Sequence, residues 1–171
     1  TSAAAAAAAA GIPLTRRQQA QRIQFITAAD VTGNLPPGLN IPARFWKNLS
    51  VPGWNELIRV NLDGSYYCCA AVLPSMRERH DGVIINISSW AGRFDSYMTG
   101  PAYNAAKHAV VAMTAHLNQE ECINGIRATA LCPAEVATPI MNKRPVKPSD
   151  EDIARMLQPE DLGNAILWIA Q

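Results

Sequence analysis

The stretch Val83-Ile84-Ile85-Asn86-Ile87-Ser88-Ser89, with Ile126-Arg127-Ala128-Thr129-Ala130-Leu131 downstream, decides the fold. Residues 83–87 are almost wholly apolar and too few for a helix, so they read as a strand buried on both faces. Residues 126–131 read the same way. A helical pattern runs between them from about Ala102 to Glu121, and Gly125 ends it. Upstream, Ser50-Val51-Pro52-Gly53-Trp54-Asn55-Glu56 carries a cap serine, an early proline and then an acid, the signs of a helix start. Leu57, Ile58, Val60, Leu62, Tyr66, Cys69, Val72, Leu73 and Met76 follow at helical spacing, and Gly82 is expected to close that helix. A last helix begins after Pro159-Glu160-Asp161, with Ala165, Ile166, Ile169 and Ala170 on its apolar side. Helices alternating with buried strands over short links imply an α/β fold, a parallel sheet covered by helices. Right-handed crossovers then place ligand sites at the carboxyl ends of the strands.

Composition narrows the function. The 171 residues suffice for one domain with a real core, and 49% of them are hydrophobic. The formal net charge is +1 and the basic residues form pairs, such as Arg16-Arg17 and Lys143-Arg144, with no basic stripe for nucleic acid. No apolar stretch reaches bilayer length. Thr1-Ser2 and the eight alanines after them lack the charged start of a signal peptide. Cys68, Cys69, Cys122 and Cys132 show no zinc spacing and read as reduced, mostly buried thiols of a cytoplasmic protein, with no metal site expected.

Chemistry concentrates at Tyr103-Asn104-Ala105-Ala106-Lys107. Positions i and i+4 of a helix lie about 40° apart in rotation and about 6 Å apart along the axis, so an ammonium can act on a phenol without touching it. A free phenol, with a pKa near about 10, is a poor base at neutral pH; a nearby positive charge lowers that value. The pair is a general acid/base for interconverting an alcohol and a carbonyl, although such pairs also arise by chance on helix faces. Ser88-Ser89 ends the apolar strand, where a hydroxyl can hold a substrate oxygen beside the tyrosine or simply cap the loop.

Taken in series, Val60-Asn61-Leu62-Asp63-Gly64, Ile85 to Gly92, Tyr103 to Lys107, Gly125-Ile126-Arg127, Cys132-Pro133 and Pro159-Glu160-Asp161-Leu162 resemble the short-chain dehydrogenase/reductase family. The resemblance covers residues 41–171, which it implies are the catalytic half of one Rossmann-type domain with a doubly wound parallel sheet. It implies a nicotinamide cofactor, NADP or else NAD, and hydride transfer to or from a small carbonyl or alcohol substrate. It assigns the acid/base to Tyr103, and to Lys107 the lowering of its pKa and a contact with the nicotinamide ribose. Ser89 orients the reacting oxygen, with Ser88 the other candidate, and Asn61 holds a relay water. Pro133, Val136 and Thr138 border the nicotinamide, and Trp90 borders the substrate. Trp90 with Phe94, Tyr97 and Met98 suggests an apolar or aromatic substrate surface, and Pro139 to Pro159 a mobile flap over it. The helices around residues 54–79 and 102–121 match those that pair subunits in the family, so a homodimer or homotetramer is expected.

Residues 1–40 depart from the family's pattern. The glycine-rich loop that lets backbone N–H groups approach a pyrophosphate is absent. Leu35-Pro36-Pro37-Gly38 stands where the family has an Asn-Asn-Ala-Gly turn. Arg17, in Thr15-Arg16-Arg17, resembles the basic site that selects NADP, and Asp30, in Ala29-Asp30-Val31-Thr32, the adenine-side aspartate. These residues read as an incomplete or compressed remnant of the dinucleotide-binding half. The alternative is a truncated, non-catalytic subunit or binding module.

Overall fold

The computed structural model describes residues 44–139, 141 and 146–171. Arg17, Asp30 and the readings made on residues 1–40 lie outside the described residues.

The first helix, α1, spans Val51–Ile58. Ser50 caps it as expected: its Oγ accepts the Gly53 N–H at 3.2 Å. The single long helix predicted from here to Met76 is divided. A π-helical turn, Arg59–Asp63, separates α1 from α2, Gly64–Arg79. In that turn the Gly64 N–H reaches back five residues to the Arg59 carbonyl, so one residue more is accommodated than an α-turn allows. Helix α2 also does not end at Gly82. His80 closes it in the left-handed conformation, φ 50°, and its N–H bonds to the Arg77 and Met76 carbonyls. Gly82 instead opens strand β1, Gly82–Ile87.

Helix α3, Pro101–Glu121, returns the chain to β2, Ile126–Leu131. A 3-10 turn, Cys122–Asn124, and Gly125 at φ 73° join the two. A Cβ on Gly125 would collide with the His80 carbonyl, so this turn requires glycine twice over. β1 and β2 pair in parallel from Gly82↔Ile126 to Ile87↔Leu131, and β1–α3–β2 is the repeating unit of a Rossmann-type α/β fold. The core lies on one face of this pair. Cys69, Ile84 and Ile126 are buried there, with Val72, Leu73, Met76, Met113, Leu117 and Ala128 packed against them. Only that face is closed by α2 and α3. Val83 and Ile85 are half-covered and Ile87 exposed, so the expected burial of β1 on both faces is met on one by the described residues.

Two buried polar groupings tie these layers. Asn86 of β1 donates from Nδ2 to Thr114 Oγ1 at 2.9 Å, and Thr114 donates to the Val110 carbonyl at 2.7 Å. Glu121, at the end of α3, accepts the Arg77 Nε at 3.1 and 3.0 Å and the Asn124 Nδ2 at 2.9 Å, locking α2 to α3. Of the cysteines only Cys69 is buried; Cys68 and Cys132 are half-covered and Cys122 is exposed. They sit where helix and strand phases put them, Cys122 on the turn that leaves α3.

The segment expected to be a mobile flap contains helix α4, Asp150–Arg155, capped by Ser149, whose Oγ accepts the Asp152 N–H at 3.1 Å. Its base is pinned by a parallel bridge, Val136↔Leu157, with the Ala137 N–H on the Leu157 carbonyl at 2.8 Å. Helix α5, Pro159–Ile169, follows behind a capping box formed by Gln158 and Asp161. Among the described residues no helix is long and apolar enough to cross a membrane.

Candidate active site

The carboxyl ends of β1 and β2 and the first turns of α3 meet at one place. Beyond the strand pairing, the Ser88 N–H bonds to the Leu131 carbonyl and the Trp90 N–H to the Pro133 carbonyl, both at 2.8 Å. Ser89 and Trp90 are thereby held against the loop that leaves β2. Strand alternation divides the two serines. Ile84, Asn86 and Ser88 share the buried face, and Ser89 turns to the other. Ser88, 3% exposed, donates its Oγ to the Lys107 carbonyl at 2.9 Å and so fastens β1 to α3. Ser89 caps the 3-10 turn Trp90–Gly92 by accepting the Ala91 N–H at 3.2 Å, and its hydroxyl meets the phenol of Tyr103. Ser89 is thus the serine beside the tyrosine.

Tyr103 and Lys107 face the same space. The Lys107 Nζ stands 5.5 Å from the centre of the Tyr103 ring and donates to the Ile87 carbonyl at 3.1 Å. Burial of the phenol raises its pKa above the ordinary 10.0, and the hydrogen bond with Ser89 offsets this only in part. Burial also lowers the pKa of the Lys107 ammonium, which the neighbouring Cys132 opposes. Removal from water is the first cause of both shifts. The ammonium lies over the ring and bonds the Ile87 carbonyl.

Asn61 sits in the π-helical turn, half-buried, where its Nδ2 donates to the Leu57 carbonyl at 3.1 Å; its own carbonyl accepts the Ser65 hydroxyl at 3.3 Å. Pro133, Val136 and Thr138 follow β2 and are half-covered. Trp90 is 52% exposed and packs at a tilt against Phe94 with ring centres 5.5 Å apart, so this tryptophan lies at the surface of the site. Tyr97 is more exposed still and packs against Phe45 at 5.2 Å. An open groove of about 710 Å³ lies alongside, lined by Ala134, Glu135, Pro148 and α4 residues including Asp152 and Arg155.

Gly92, the last residue of the Ile85 to Gly92 motif, lies against α3 with no room for a side chain. A Cβ there would stand 2.5 Å from Ser88 Oγ and 2.6 Å from the Lys107 carbonyl oxygen. Its signal in the sequence is a glycine three residues past a strand-end serine, too common a pattern to be read alone.

A β-α-β unit whose candidate side chains gather at the carboxyl ends of parallel strands belongs to the Rossmann-type class of α/β folds. The sequence profile of the short chain dehydrogenase family matches residues 38–148, and the chain belongs to that family. It is 36% identical over 93 residues to 2-keto-3-deoxy-L-fuconate dehydrogenase of Xanthomonas campestris, 54% of this chain and 31% of that one. An uncharacterized oxidoreductase of Staphylococcus saprophyticus is 36% identical over 132 residues, 74% of this chain and 53% of that one. A 3-oxoacyl-[acyl-carrier protein] reductase of Brucella melitensis with bound NAD superposes with a TM-score of 0.66 at 29% identity, over 84% of this chain and 59% of that one. The chain thus spans between about a third and three fifths of these relatives.

Proposed function

We propose that this chain carries the catalytic half of an NAD(P)-dependent oxidoreductase that interconverts an alcohol and a carbonyl. The observation that carries the reading is the half-buried Tyr103 on the first turn of α3, with the Lys107 ammonium 5.5 Å from its ring centre, at the strand end that carries Ser89. Ser89 hydrogen-bonds the reacting oxygen. Tyr103 gives that oxygen its proton as the carbonyl is reduced and takes it back in oxidation. Asn61 lies in a turn whose backbone bonding departs from the α pattern, a suitable anchor for a relay water.

The residues present fit a nicotinamide ribose and ring. An ammonium has three N–H donors and the Ile87 carbonyl takes one, so Lys107 has donors for a ribose diol. Pro133, Val136 and Thr138 border the same strand end and would hold the ring. When bound, the dinucleotide supplies or accepts the hydride. The solved relative with NAD supports a nicotinamide cofactor; Arg17 favours NADP, and Asp30 is assigned to the adenine side. The dehydrogenase relative supports a small hydroxy or keto substrate, and Trp90 with Phe94 gives that substrate an apolar wall. The faces of α1, α2 and α3 are assigned to subunit pairing in a homodimer or homotetramer.

The test is turnover of a panel of small ketones by the full-length protein with NADPH or NADH, beside Tyr103→Phe. The variant should keep its circular dichroism and lose turnover by about 10²–10⁴-fold. Near-normal turnover in the variant refutes the reading.

A further inference from the structure

The loop between Ser89 and Tyr103 ends in a tight turn that one side chain holds shut. Residues Tyr97–Thr99 form a 3-10 turn, and the Ser96 carbonyl accepts the Thr99 N–H at 3.3 Å and the Thr99 hydroxyl at 3.1 Å. Asn104, next to Tyr103 on α3, closes the ring from the other side. Its Oδ1 accepts the Ser96 N–H at 3.2 Å, and its Nδ2 donates to the Ser96 and Gly100 carbonyls, both at 2.8 Å. One carboxamide thus uses both of its amide hydrogens and its oxygen on this turn. Gly100, the N-cap of α3, has no side chain of its own to fix the helix entry, and its φ of 76° is available to few other residues.

We propose that Asn104 is a positioning residue: it clamps the 96–100 turn to the start of α3 and so fixes the wall of the substrate space carrying Tyr97 and Met98. The inference rests on the reading of Tyr103 and Ser89 as the reacting centre. Asn104 acts on the wall, through the turn, and not on the proton. Its loss therefore raises KM for the carbonyl substrate and leaves kcat and the KM for the nicotinamide cofactor close to those of the parent. Three hydrogen bonds lost from the turn correspond to a KM rise of roughly tenfold or more.

Two variants of the full-length protein test this. Asn104→Ala removes the clamp. Asn104→Asp keeps the shape and the acceptor for the Ser96 N–H but places an oxygen against two carbonyls, so it covers the case in which the alanine variant fails to fold. Hydrogen–deuterium exchange at Ser96 and steady-state kinetics are read together. Faster exchange at Ser96 with a selective KM rise for the carbonyl substrate supports the clamp. Unchanged exchange and unchanged KM in the alanine variant overturn it, as does an unchanged KM in the folded aspartate variant or a fall in kcat alone. If the parent protein turns over no carbonyl or alcohol, the functional reading fails, and exchange at Ser96 still decides whether Asn104 holds the turn.

Discussion

Replacing Gly92 with alanine is the sharpest perturbation the site offers. The added Cβ would begin 2.6 Å from the Lys107 carbonyl oxygen and 2.9 Å from its carbon, where ordinary contact starts at 3.4 Å. That carbonyl belongs to the backbone of α3 and cannot rotate away. The strand-end turn Trp90–Gly92 must therefore move off the helix by about 0.8 Å, the gap between those distances. The nearest movable atom, Ser88 Oγ at 2.5 Å, is the donor that joins β1 to α3 at 2.9 Å, so yielding there breaks the fastening. Overpacking of this kind costs about 1–3 kcal/mol, which lowers the melting temperature of a domain this size by about 2–4 °C per kcal/mol. Ser89 rides on the same turn, and a shift approaching 1 Å at a reacting group can cost about 10²-fold in rate. Differential scanning fluorimetry and ketone turnover measured on the same preparation check both. A variant that melts with the parent and turns over at the parent's rate would refute the close approach and the coupling inferred from it.

Three other outcomes follow from the same contacts. Burial raises the Tyr103 phenol, so in cofactor-free protein the tyrosinate absorbance missing from Tyr103→Phe should develop above pH 10.0; a component that titrates below it contradicts the burial argument. The hydrogen bonds from Arg77 and Asn124 depress the Glu121 pKa, so its stabilisation is complete above the ordinary 4.5 and is lost as pH falls through the depressed folded value; Glu121→Gln should lack that part of the acid drop in melting temperature, and parallel curves would count against it. Thr114→Val leaves the buried Asn86 amide without its 2.9 Å acceptor and should cost about 1–3 kcal/mol in urea unfolding, with an unchanged midpoint as the contrary result.

The parts of the fold that were legible in the sequence are those in which apolar spacing and capping agree. Ser50 before α1, the apolar run of β1, and the helical run of α3 to Glu121 all fall where local rules put them. The division of α1 from α2 was not legible, because a π-turn adds a residue without altering composition. Nor was the end of α2: a histidine took the left-handed position that glycine usually marks, and Gly82 was free to begin the strand. At the site, the residue types could be read but not their surroundings. Alternation along β1 could have separated Ser88 from Ser89, since Ser88 continues the phase of Ile84 and Asn86. The direction of the Tyr103 shift could not be read at all, because it depends on how much water the assembled strand ends exclude. Asn104 stayed hidden inside the Tyr103-to-Lys107 spacing, where the intervening positions carry no pattern of their own.

The π-turn makes residue counting, rather than side-chain chemistry, the delicate property of the segment from Leu57 to Ser65. A helix advances by about 100° with each residue, so an insertion or deletion here would swing everything on one side of it by that angle. Healing the turn into plain α-helix would improve its local hydrogen bonding and leave every side chain intact. Yet it would carry Cys69 away from Ile84 or turn Asn61 to a new bearing, since Asn61 lies within the turn and Cys69 hangs from the helix that follows it. The segment therefore behaves as a spacer of fixed length, tolerant of exchange and intolerant of slippage.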